Sequence, residues 1–291
     1  MQTTLRGTGK PVVIEAGAPL VIIGEKLNPT GRKKMAEALT QHNLDYLLEL
    51  SAGQVKAGAQ VLDVNVGLPG LDAVSWMKEL VGRLAETLAA PLCLDSPDPA
   101  VLEAGLAVAP GKALINSVSG EEARLERILP LARDHHAAVI GLLMDDGGIP
   151  PTPEARLRVA EKILERAARL GIPAEDVVID GLAMTVAADS QAGKVTLETM
   201  RLVRDQLGVN QNLGASNISH GLPDRPVVNA AFLALAMGSG LTCAITDAAK
   251  LSPAIRAADL LLGRDENGMG YIRNYRLQQK LLAESAAREA S

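Results

Sequence analysis

The sequence predicts an α/β fold, and within that class a closed (β/α)8 barrel of the TIM type. Eight short apolar runs alternate along the chain with segments whose apolar residues recur at helical spacing. Most of the runs are continuous rather than alternating, which is typical of parallel strands covered by helices. The chain has 291 residues, and a barrel of this kind takes about 250 residues. Together these observations favour one large barrel domain.

The apolar runs also set the expected strands and domain limits. The predicted strands are Leu20–Leu27, Gln60–Val66, Leu92–Ser96, Ala113–Val118, Ala138–Met144, Val177–Leu182, Asn212–Ser216 and Leu241–Thr246. The barrel then spans residues 20–264, with an N-terminal extension over residues 1–19 and a C-terminal helical tail over residues 265–291. Eight strands can also form an open doubly wound sheet. The glycine pattern that commonly marks that fold, GxGxxG after the first strand, does not occur here.

Composition and charge argue against several classes of function. The net charge is −5 and the sequence has no basic run, so we expect no nucleic-acid binding. The sequence has no run of about 18 apolar residues and its N-terminus makes a poor secretory signal, so we expect a cytoplasmic protein without a membrane span. Cys93 and Cys243 lie far apart in apolar runs, as expected for small core residues in a reducing compartment.

Polar side chains end most of the predicted strands, where a barrel carries its active site. Four of them lie at separate strand ends: Asp95, Asn116, Asp180 and Asn217. Asp63 and Asp247 occupy similar positions, but they are equally consistent with capping a helix or tying strands together. Of four histidines only His220 is near a strand end, so we predict no metal site.

This mixture of Asp and Asn suits one type of ligand. A carboxylate accepts two neighbouring N–H groups, and an Asn amide both donates and accepts. The 2-amino-4-oxo-pyrimidine edge of a pterin presents such a mixture. Aromatic residues are only 2% of the chain, so polar recognition must contribute more to binding than ring stacking.

The strand-end motifs resemble a known family. The resembling stretches, in order, are Gly24–Asn28, Leu62–Gly67, Leu92–Ser96, Ile115–Ser117, Ile140–Met144, Gly148–Pro150, Val178–Asp180, Leu213–Ser219 and Asp224–Pro226. Each is weak alone, but the ordered series resembles the methyltetrahydrofolate:corrinoid protein methyltransferases. It is similar more distantly to the pterin domain of cobalamin-dependent methionine synthase and to dihydropteroate synthase. The resemblance therefore implies a dihydropteroate synthase-like barrel.

The resemblance also implies roles for individual residues. It implies that Asp95, Asn116 and Asp180 hydrogen-bond the pterin ring. It implies that Asn217 approaches N5 and supports the proton that activates the methyl donor. Other residues that match family positions near the pocket are Ser216, Gly214, Arg225 and Met144.

The implied activity is transfer of the N5 methyl group between 5-methyltetrahydrofolate and the cobalt of a corrinoid protein. Tetrahydrofolate is then a substrate, and a partner protein supplies the cobalamin, since the sequence has no Asp-x-His-x-x-Gly pattern of its own. N5 must be protonated before the methyl group leaves, because an amide-like anion is too basic a leaving group. Asn217 stabilises that state electrostatically but cannot supply the proton. Water or a carboxyl group must supply it, and Asp180 is a candidate relay.

Three other functions compete with this interpretation. Dihydropteroate synthase would use the same barrel and pocket, with Lys26 and Arg32 read as anion ligands. A folate-binding module without catalysis would share the pterin contacts. A metal-dependent barrel aldolase is disfavoured by the missing histidine ligands. We also expect a homodimer, for which residues Ala230–Met237 are a candidate interface helix, with core packing as the competing explanation.

Overall fold

Eight parallel strands surrounded by helices form a nearly closed barrel in the computed structural model, which describes residues 1–289. Ten strands occur in the described residues, of which β3 to β10 build the barrel: β1 (Gln2–Leu5), β2 (Val12–Glu15), β3 (Val21–Leu27), β4 (Val61–Val64), β5 (Leu92–Asp95), β6 (Leu114–Ser119), β7 (Ala138–Leu142), β8 (Val177–Asp180), β9 (Gln211–Asn212) and β10 (Cys243–Thr246). The barrel order is β10-β3-β4-β5-β6-β7-β8-β9. The predicted (β/α)8 barrel is confirmed.

Helices follow each barrel strand and pack on its outer face. They are α1 (Lys33–Thr40), α2 (Leu44–Lys56), α3 (Ala73–Thr87), α4 (Pro99–Leu106), α5 (Glu122–Asp134), α6 (Pro153–Arg169), α7 (Ala192–Gln206), α8 (Arg225–Ser239), α9 (Ala248–Leu261) and α10 (Met269–Glu289). Pro99 begins α4, where its missing N–H costs nothing, and the Asp98 side chain caps the helix by accepting from the Ala100 N–H at 2.9 Å. Residues 290 and 291 of the predicted tail lie outside the described residues.

The barrel closes between β9 and β10, where the pairing is short. Thr242 N donates to Gln211 O at 3.1 Å, and Ile245 N donates to Leu213 O at 2.9 Å. The predicted seventh strand, Asn212–Ser216, is wrong from Ala215 on, because residues Ala215–Ser219 form a 3-10 helix, whereas Gly214 still forms a parallel bridge with Ile245. The chain turns there, with the N–H of Asn217 donating to the carbonyl of Gly214 at 3.2 Å.

An antiparallel hairpin of β1 and β2 covers the end of the barrel where the strands begin. Leu5 and Ile14 of this hairpin are fully buried against the apolar side chains inside the barrel. The amide of Asn210 ties the hairpin down, donating to Thr3 Oγ1 at 2.9 Å and to Ile14 O at 2.8 Å. Residues 1–19 thus contribute to the barrel core, while the predicted domain limits stay a prediction.

The inside of the barrel is apolar at the hairpin end and polar at the other. Its apolar layer is built from one or two residues on each of seven strands, all except β9: Val21, Ile23, Val61, Cys93, Leu114, Ala138, Ile140, Val178 and Cys243. Both cysteines are free and buried, and they serve as small packing residues. No helix in the described part of the chain is long and apolar enough to cross a membrane.

Candidate active site

A cavity of about 900 Å³ opens at the end of the barrel where the strands finish. It is lined by charged and amide side chains with a few apolar ones. The polar lining includes Glu25, Lys26, Asn28, Arg32, Asp63, Asp95, Asn116, Asp180, Ser216, Asn217, His220, Arg225, Asn229, Asp247 and Lys250. A cavity of this size and position is typical of the active site of a barrel enzyme.

The two-residue repeat of side-chain direction along a strand explains why the floor of this cavity is polar. Side chains two residues apart on a strand share a face. A residue two positions after an inward-pointing apolar side chain therefore also points into the barrel. On β4, Asp63 follows Val61 in this way, and on β8, Asp180 follows Val178. The apolar layer of the barrel therefore ends in a layer of carboxyl and amide groups.

Two neighbouring carboxyl groups on β4 and β5 each receive one amide. Asn116 Nδ2 donates to Asp63 Oδ1 at 3.0 Å, and Asn65 Nδ2 donates to Asp95 Oδ2 at 2.9 Å. Burial raises the pKa of Asp63, and the charge of Asp95 raises it further. Burial also raises the pKa of Asp95, while the Asn65 amide acts against that increase. The pair therefore holds protons to a higher pH than free carboxyl groups do.

Asp180 is fixed from the protein side of the cavity. Its Oδ1 accepts from the Leu182 N–H at 2.9 Å, and its Oδ2 accepts from Asn212 Nδ2 at 2.7 Å. Burial raises the pKa of Asp180 to about 6, although the hydrogen bonds from Leu182, Asn212 and the Gly214 N–H favour the charged form. At neutral pH this side chain is mainly a carboxylate whose lone pairs are partly used by the protein.

Asn217 lies nearer the solvent than Asp180. It belongs to the 3-10 helix after β9 and is exposed at the cavity wall. Gly214 lies beneath it, and a Cβ atom at position 214 would come within 3.3 Å of Asn217 Nδ2. The backbone φ of Gly214 is −72°, which any residue adopts, so the need for glycine here is one of space.

A polar cluster links the first strand of the barrel to the 3-10 helix. Ser216 Oγ donates to Glu25 Oε2 at 2.8 Å, and Arg32 Nη2 donates to Glu25 Oε1 at 2.7 Å. Arg225 Nη2 donates to the Ser216 carbonyl at 2.7 Å. The segment that carries Asn217 is thus held by charged side chains from β3, the loop after it and α8.

Seven of the eight residues predicted for the site line the cavity together. They are Asp95, Asn116, Asp180, Gly214, Ser216, Asn217 and Arg225. Met144 does not belong to the cavity lining of residues 1–289, and Leu142 of the same strand region does. Strand β7 ends at Leu142, and Leu142 shares the inward face with Ile140. The roles of these residues stay predictions.

Several lining residues were missed by sequence reasoning or left undecided. Glu25 was not selected, because its contact with Ser216 joins residues 191 positions apart. Asp63 and Asp247 were left open between cap and site, and both line the cavity. Asp247 also caps α9, accepting from the Ala249 N–H at 3.1 Å, and pairs with Lys26 at 3.1 Å. Asp63 could have been assigned to the site from the sequence, because it lies two residues after the inward-pointing Val61 and therefore shares its face of the strand.

Comparison with known proteins decides the family. The sequence profile of the family described as "Pterin binding enzyme" matches residues 24–247, which include all the strands of the barrel except part of β3. The chain belongs to the pterin-binding enzyme family. The resemblance that the strand-end motifs predicted is therefore confirmed.

Two kinds of curated relative are similar to this member of the pterin-binding enzymes. A methylcorrinoid:tetrahydrofolate methyltransferase of Eubacterium limosum is 31% identical over 270 residues, which cover 88% of this chain and 96% of that protein. A methionine synthase of Mycobacterium tuberculosis is 34% identical over 249 residues, which cover 81% of this chain. The chain spans only 21% of the length of that methionine synthase.

Solved structures of dihydropteroate synthases share the fold of this pterin-binding enzyme. A Yersinia pestis structure with a pterin–sulfa conjugate has a TM-score of 0.67 at 16% identity, covering 91% of this chain and 100% of that one. A Xanthomonas albilineans structure has a TM-score of 0.67 at 19% identity, covering 90% and 98%. At these identities the likeness establishes the dihydropteroate synthase-like barrel.

Proposed function

We propose that this chain moves the N5 methyl group between 5-methyltetrahydrofolate and the cobalt of a corrinoid carried by a partner protein. The observation that carries the proposal is the depth order of the site groups. Asp180 is 5% exposed at the cavity floor, while Asn217 is exposed at the wall toward the mouth. A ligand held at the floor by its pyrimidine edge then presents its other side to a partner outside.

The floor groups have the hydrogen-bonding character that a pterin edge requires. Asp180 in its carboxylate form accepts from two adjacent N–H groups of the pyrimidine ring. Asn116 and Asp95 offer a further amide and carboxyl group on neighbouring strands. The identity of 31% with a methylcorrinoid:tetrahydrofolate methyltransferase, over 96% of its length, supports the same ligand for this chain.

The chain contributes positioning and electrostatics to the reaction. The corrinoid, written here as the second substrate, supplies the nucleophilic Co(I). Asn217 stabilises the protonated N5 by a hydrogen bond that strengthens as charge develops there. Its neutral amide cannot supply the proton. Water must deliver that proton to N5, because Asp180 at the cavity floor holds the opposite edge of the ligand. Asp180, whose pKa is raised to about 6, serves as a relay only by exchanging protons with such water.

The experiment is an anaerobic assay of Co(I) cobalamin with 5-methyltetrahydrofolate, followed by visible absorption. We expect enzyme-dependent conversion of Co(I) to methyl-Co(III), lost in Asn217→Ala and in Asp180→Ala. Tight folate binding without conversion, repeated with a purified corrinoid protein, would indicate a non-catalytic folate-binding module. Condensation of a pterin pyrophosphate with aminobenzoate would instead indicate a dihydropteroate synthase. Absence of folate binding would refute both the methyltransferase and the folate-binding module.

We also propose a homodimer and a cytoplasmic location. Residues Ala230–Met237 of α8 divide between two environments: Phe232 and Leu233 are buried, while Leu235 is 59% exposed. With Val227 of the same helix, which is 63% exposed, Leu235 gives α8 an apolar outer face that a second copy would cover. Sedimentation equilibrium at micromolar concentration tests this, and a monomer would contradict it.

A further inference from the structure

His220 is the histidine that the sequence places near the end of a barrel strand, and the structure brings it into the lining of the active-site cavity. Among residues 1–289 it is the only histidine in that lining. Its side chain is exposed, and its ring nitrogens make no hydrogen bond or ion pair with any described residue. The imidazole is therefore available to a ligand or to water in the cavity.

The backbone places His220 one helical turn after Asn217. The N–H of His220 donates to the carbonyl of Asn217 at 3.1 Å, which closes a turn of the 3-10 helix. Such a helix has three residues per turn, so side chains three positions apart lie above one another. Both side chains are exposed and both line the cavity. His220 therefore lies on the side of the cavity that holds Asn217, and away from the floor that holds Asp180.

Hydrogen bonds that do not involve the imidazole fix the segment that carries His220. Thr185 Oγ1 donates to the carbonyl of His220 at 2.5 Å. The N–H of Val186 donates to the carbonyl of Ile218 at 3.0 Å. Replacing the imidazole leaves these bonds in place, so the function of the ring can be tested without disturbing the segment.

We infer that His220 is the proton donor for N5 and acts through one water molecule in the cavity. The inference rests on the proposed function, in which water must protonate N5 before the methyl group leaves. Imidazole gains and loses a proton near neutral pH, which is the property that an efficient general acid requires. A general acid can act over the distance of one intervening water molecule.

The proposed step conserves protons and electrons. The imidazolium of His220 gives its N–H proton to the water as that water gives one of its own protons to N5. The bond between N5 and the methyl carbon then breaks with its electron pair left on N5. An electron pair of Co(I) forms the new bond to that carbon, and cobalt is thereby oxidised to Co(III). Tetrahydrofolate leaves with the proton on N5, and the neutral imidazole takes another proton from solvent.

Charged side chains on the neighbouring segments are less suited to this step. They are Asp189 after β8, Asp224 and Arg225 at the start of α8, Glu25 on β3, and Asp247 and Lys250 after β10. Among the described residues, Asp189 and Asp224 lie outside the cavity lining. Glu25 and Asp247 are held in ion pairs of 2.7 Å and 3.1 Å. Guanidinium and ammonium groups hold their protons too tightly near neutral pH to act as efficient acids.

The test measures single-turnover methyl transfer from saturating 5-methyltetrahydrofolate to Co(I), carried by free cobalamin or by a purified corrinoid protein, in anaerobic stopped-flow absorption. We expect His220→Gln to slow the transfer about 100-fold, with the folate Kd changed less than about threefold. Added imidazole should raise the rate of His220→Ala at least about tenfold. This recovery should be greater at pH 6 than at pH 8, because only the protonated imidazole carries the proton.

Two controls accompany these variants. Added imidazole should leave the wild-type rate unchanged, since the wild type already has its own donor. His135 lies at the end of α5, outside the cavity lining of the described residues. His135→Gln removes the same ring and should keep the wild-type rate.

Two results would overturn the inference and leave the proposed function standing. One is a rate of His220→Gln equal to that of the wild type. The other is a slower rate that imidazole does not restore, because a residue that only supports the structure would behave in this way. Failure of the wild type to transfer methyl to either form of Co(I) would refute the proposed function together with the inference.

Discussion

The side-chain amide of Asn212 donates a 2.7 Å hydrogen bond to Oδ2 of Asp180. Asn212 is fully buried at the end of β9 and does not belong to the cavity lining of the described residues. The orientation of a carboxylate that faces the ligand is therefore set by a residue behind it. This arrangement makes Asn212 a positioning residue for the candidate site.

Replacing Asn212 by Leu should keep the volume and remove the donor. A buried acceptor left without its partner costs about 1–3 kcal/mol of unfolding free energy, and more when it is charged. We therefore expect that loss at pH 7 by urea denaturation, and a pKa of Asp180 above its present value of about 6. At pH 5, where Asp180 is largely protonated, the loss should be smaller. An equal loss at both pH values would contradict the role given to Asn212.

Folate binding should weaken in acid through Asp180. Burial raises the pKa of Asp180 from 3.8 to about 6, and only the carboxylate accepts two N–H groups. The affinity should therefore fall about tenfold for each pH unit below 6, as expected for one proton. Asp180→Asn should bind more weakly at pH 7 and show no such dependence. Calorimetry from pH 5 to pH 8 measures this, with Asp63→Asn as the control that keeps the dependence.

Stability should decrease with pH through Asp63. Its pKa is raised in the folded protein above the ordinary value of 3.8, by burial first and then by Asp95. A group of this kind stabilises the fold while it is protonated, and that stability is lost as the pH rises toward the folded pKa. Asp63→Asn removes the ionisation. The unfolding free energy of the wild type should fall between pH 5 and pH 8. The fall in the variant should be smaller by at least about 1 kcal/mol. If the unfolding free energies of the two proteins changed equally with pH, ionisation of Asp63 would not be the cause of the loss.

Adding one methyl group at Gly214 should slow the reaction more than it weakens binding. The new Cβ would lie 3.3 Å from Asn217 Nδ2 and displace that amide. Small displacements of a group aimed at a reacting atom reduce rates by up to about 100-fold. We expect Gly214→Ala to lower kcat about tenfold or more, with the folate Kd changed less than about threefold. Gly238→Ala, whose Cβ meets no atom within 4 Å, is the matched control for glycine replacement.

Shortening a buried side chain of the hairpin should destabilise the barrel without changing the candidate site. Ile14 is fully buried among the residues inside the barrel. Ile14→Ala should cost about 2–4 kcal/mol of unfolding free energy, since it leaves a cavity in the core. Val13 is only half-buried, so Val13→Ala should lower the unfolding free energy by about 1 kcal/mol or less. Denaturation midpoints measure both, and an unchanged folate Kd checks the separation from the site. A negligible loss at Ile14 would show that the hairpin folds apart from the barrel.

The fold was predictable because seven of the eight barrel strands are built on apolar runs. Strand β9 is different, because it lies in the polar sequence Asn210-Gln211-Asn212 instead of an apolar run. Each of these side chains has a polar partner: Asn210 bonds the hairpin, Gln211 Nε2 donates to Met200 O at 3.0 Å, and Asn212 bonds Asp180. A strand held by specific hydrogen bonds gives no hydrophobic signal, so its predicted position was shifted toward the following apolar residues.

The site was predictable where strand position and residue type coincide. Asp95, Asn116 and Asp180 end apolar runs and point inward because of their place in the strand. Met144 was selected from its motif, whereas counting by two from Ile140 gives Leu142. The contact of Glu25 with Ser216 depends on closure of the barrel, which brings its first strand beside the segment after β9. Spacing in sequence carries no information about such a contact.

The hairpin covers the end of the barrel where the strands begin, and in residues 1–289 the cavity opens at the opposite end. Under the proposed function, both the folate and the corrinoid protein must use it. A partner docked over this opening then obstructs folate exchange, so the small substrate has to arrive first and its demethylated product has to depart last. Turnover becomes an ordered sequence, in which the residence time of the partner sets how often folate is exchanged.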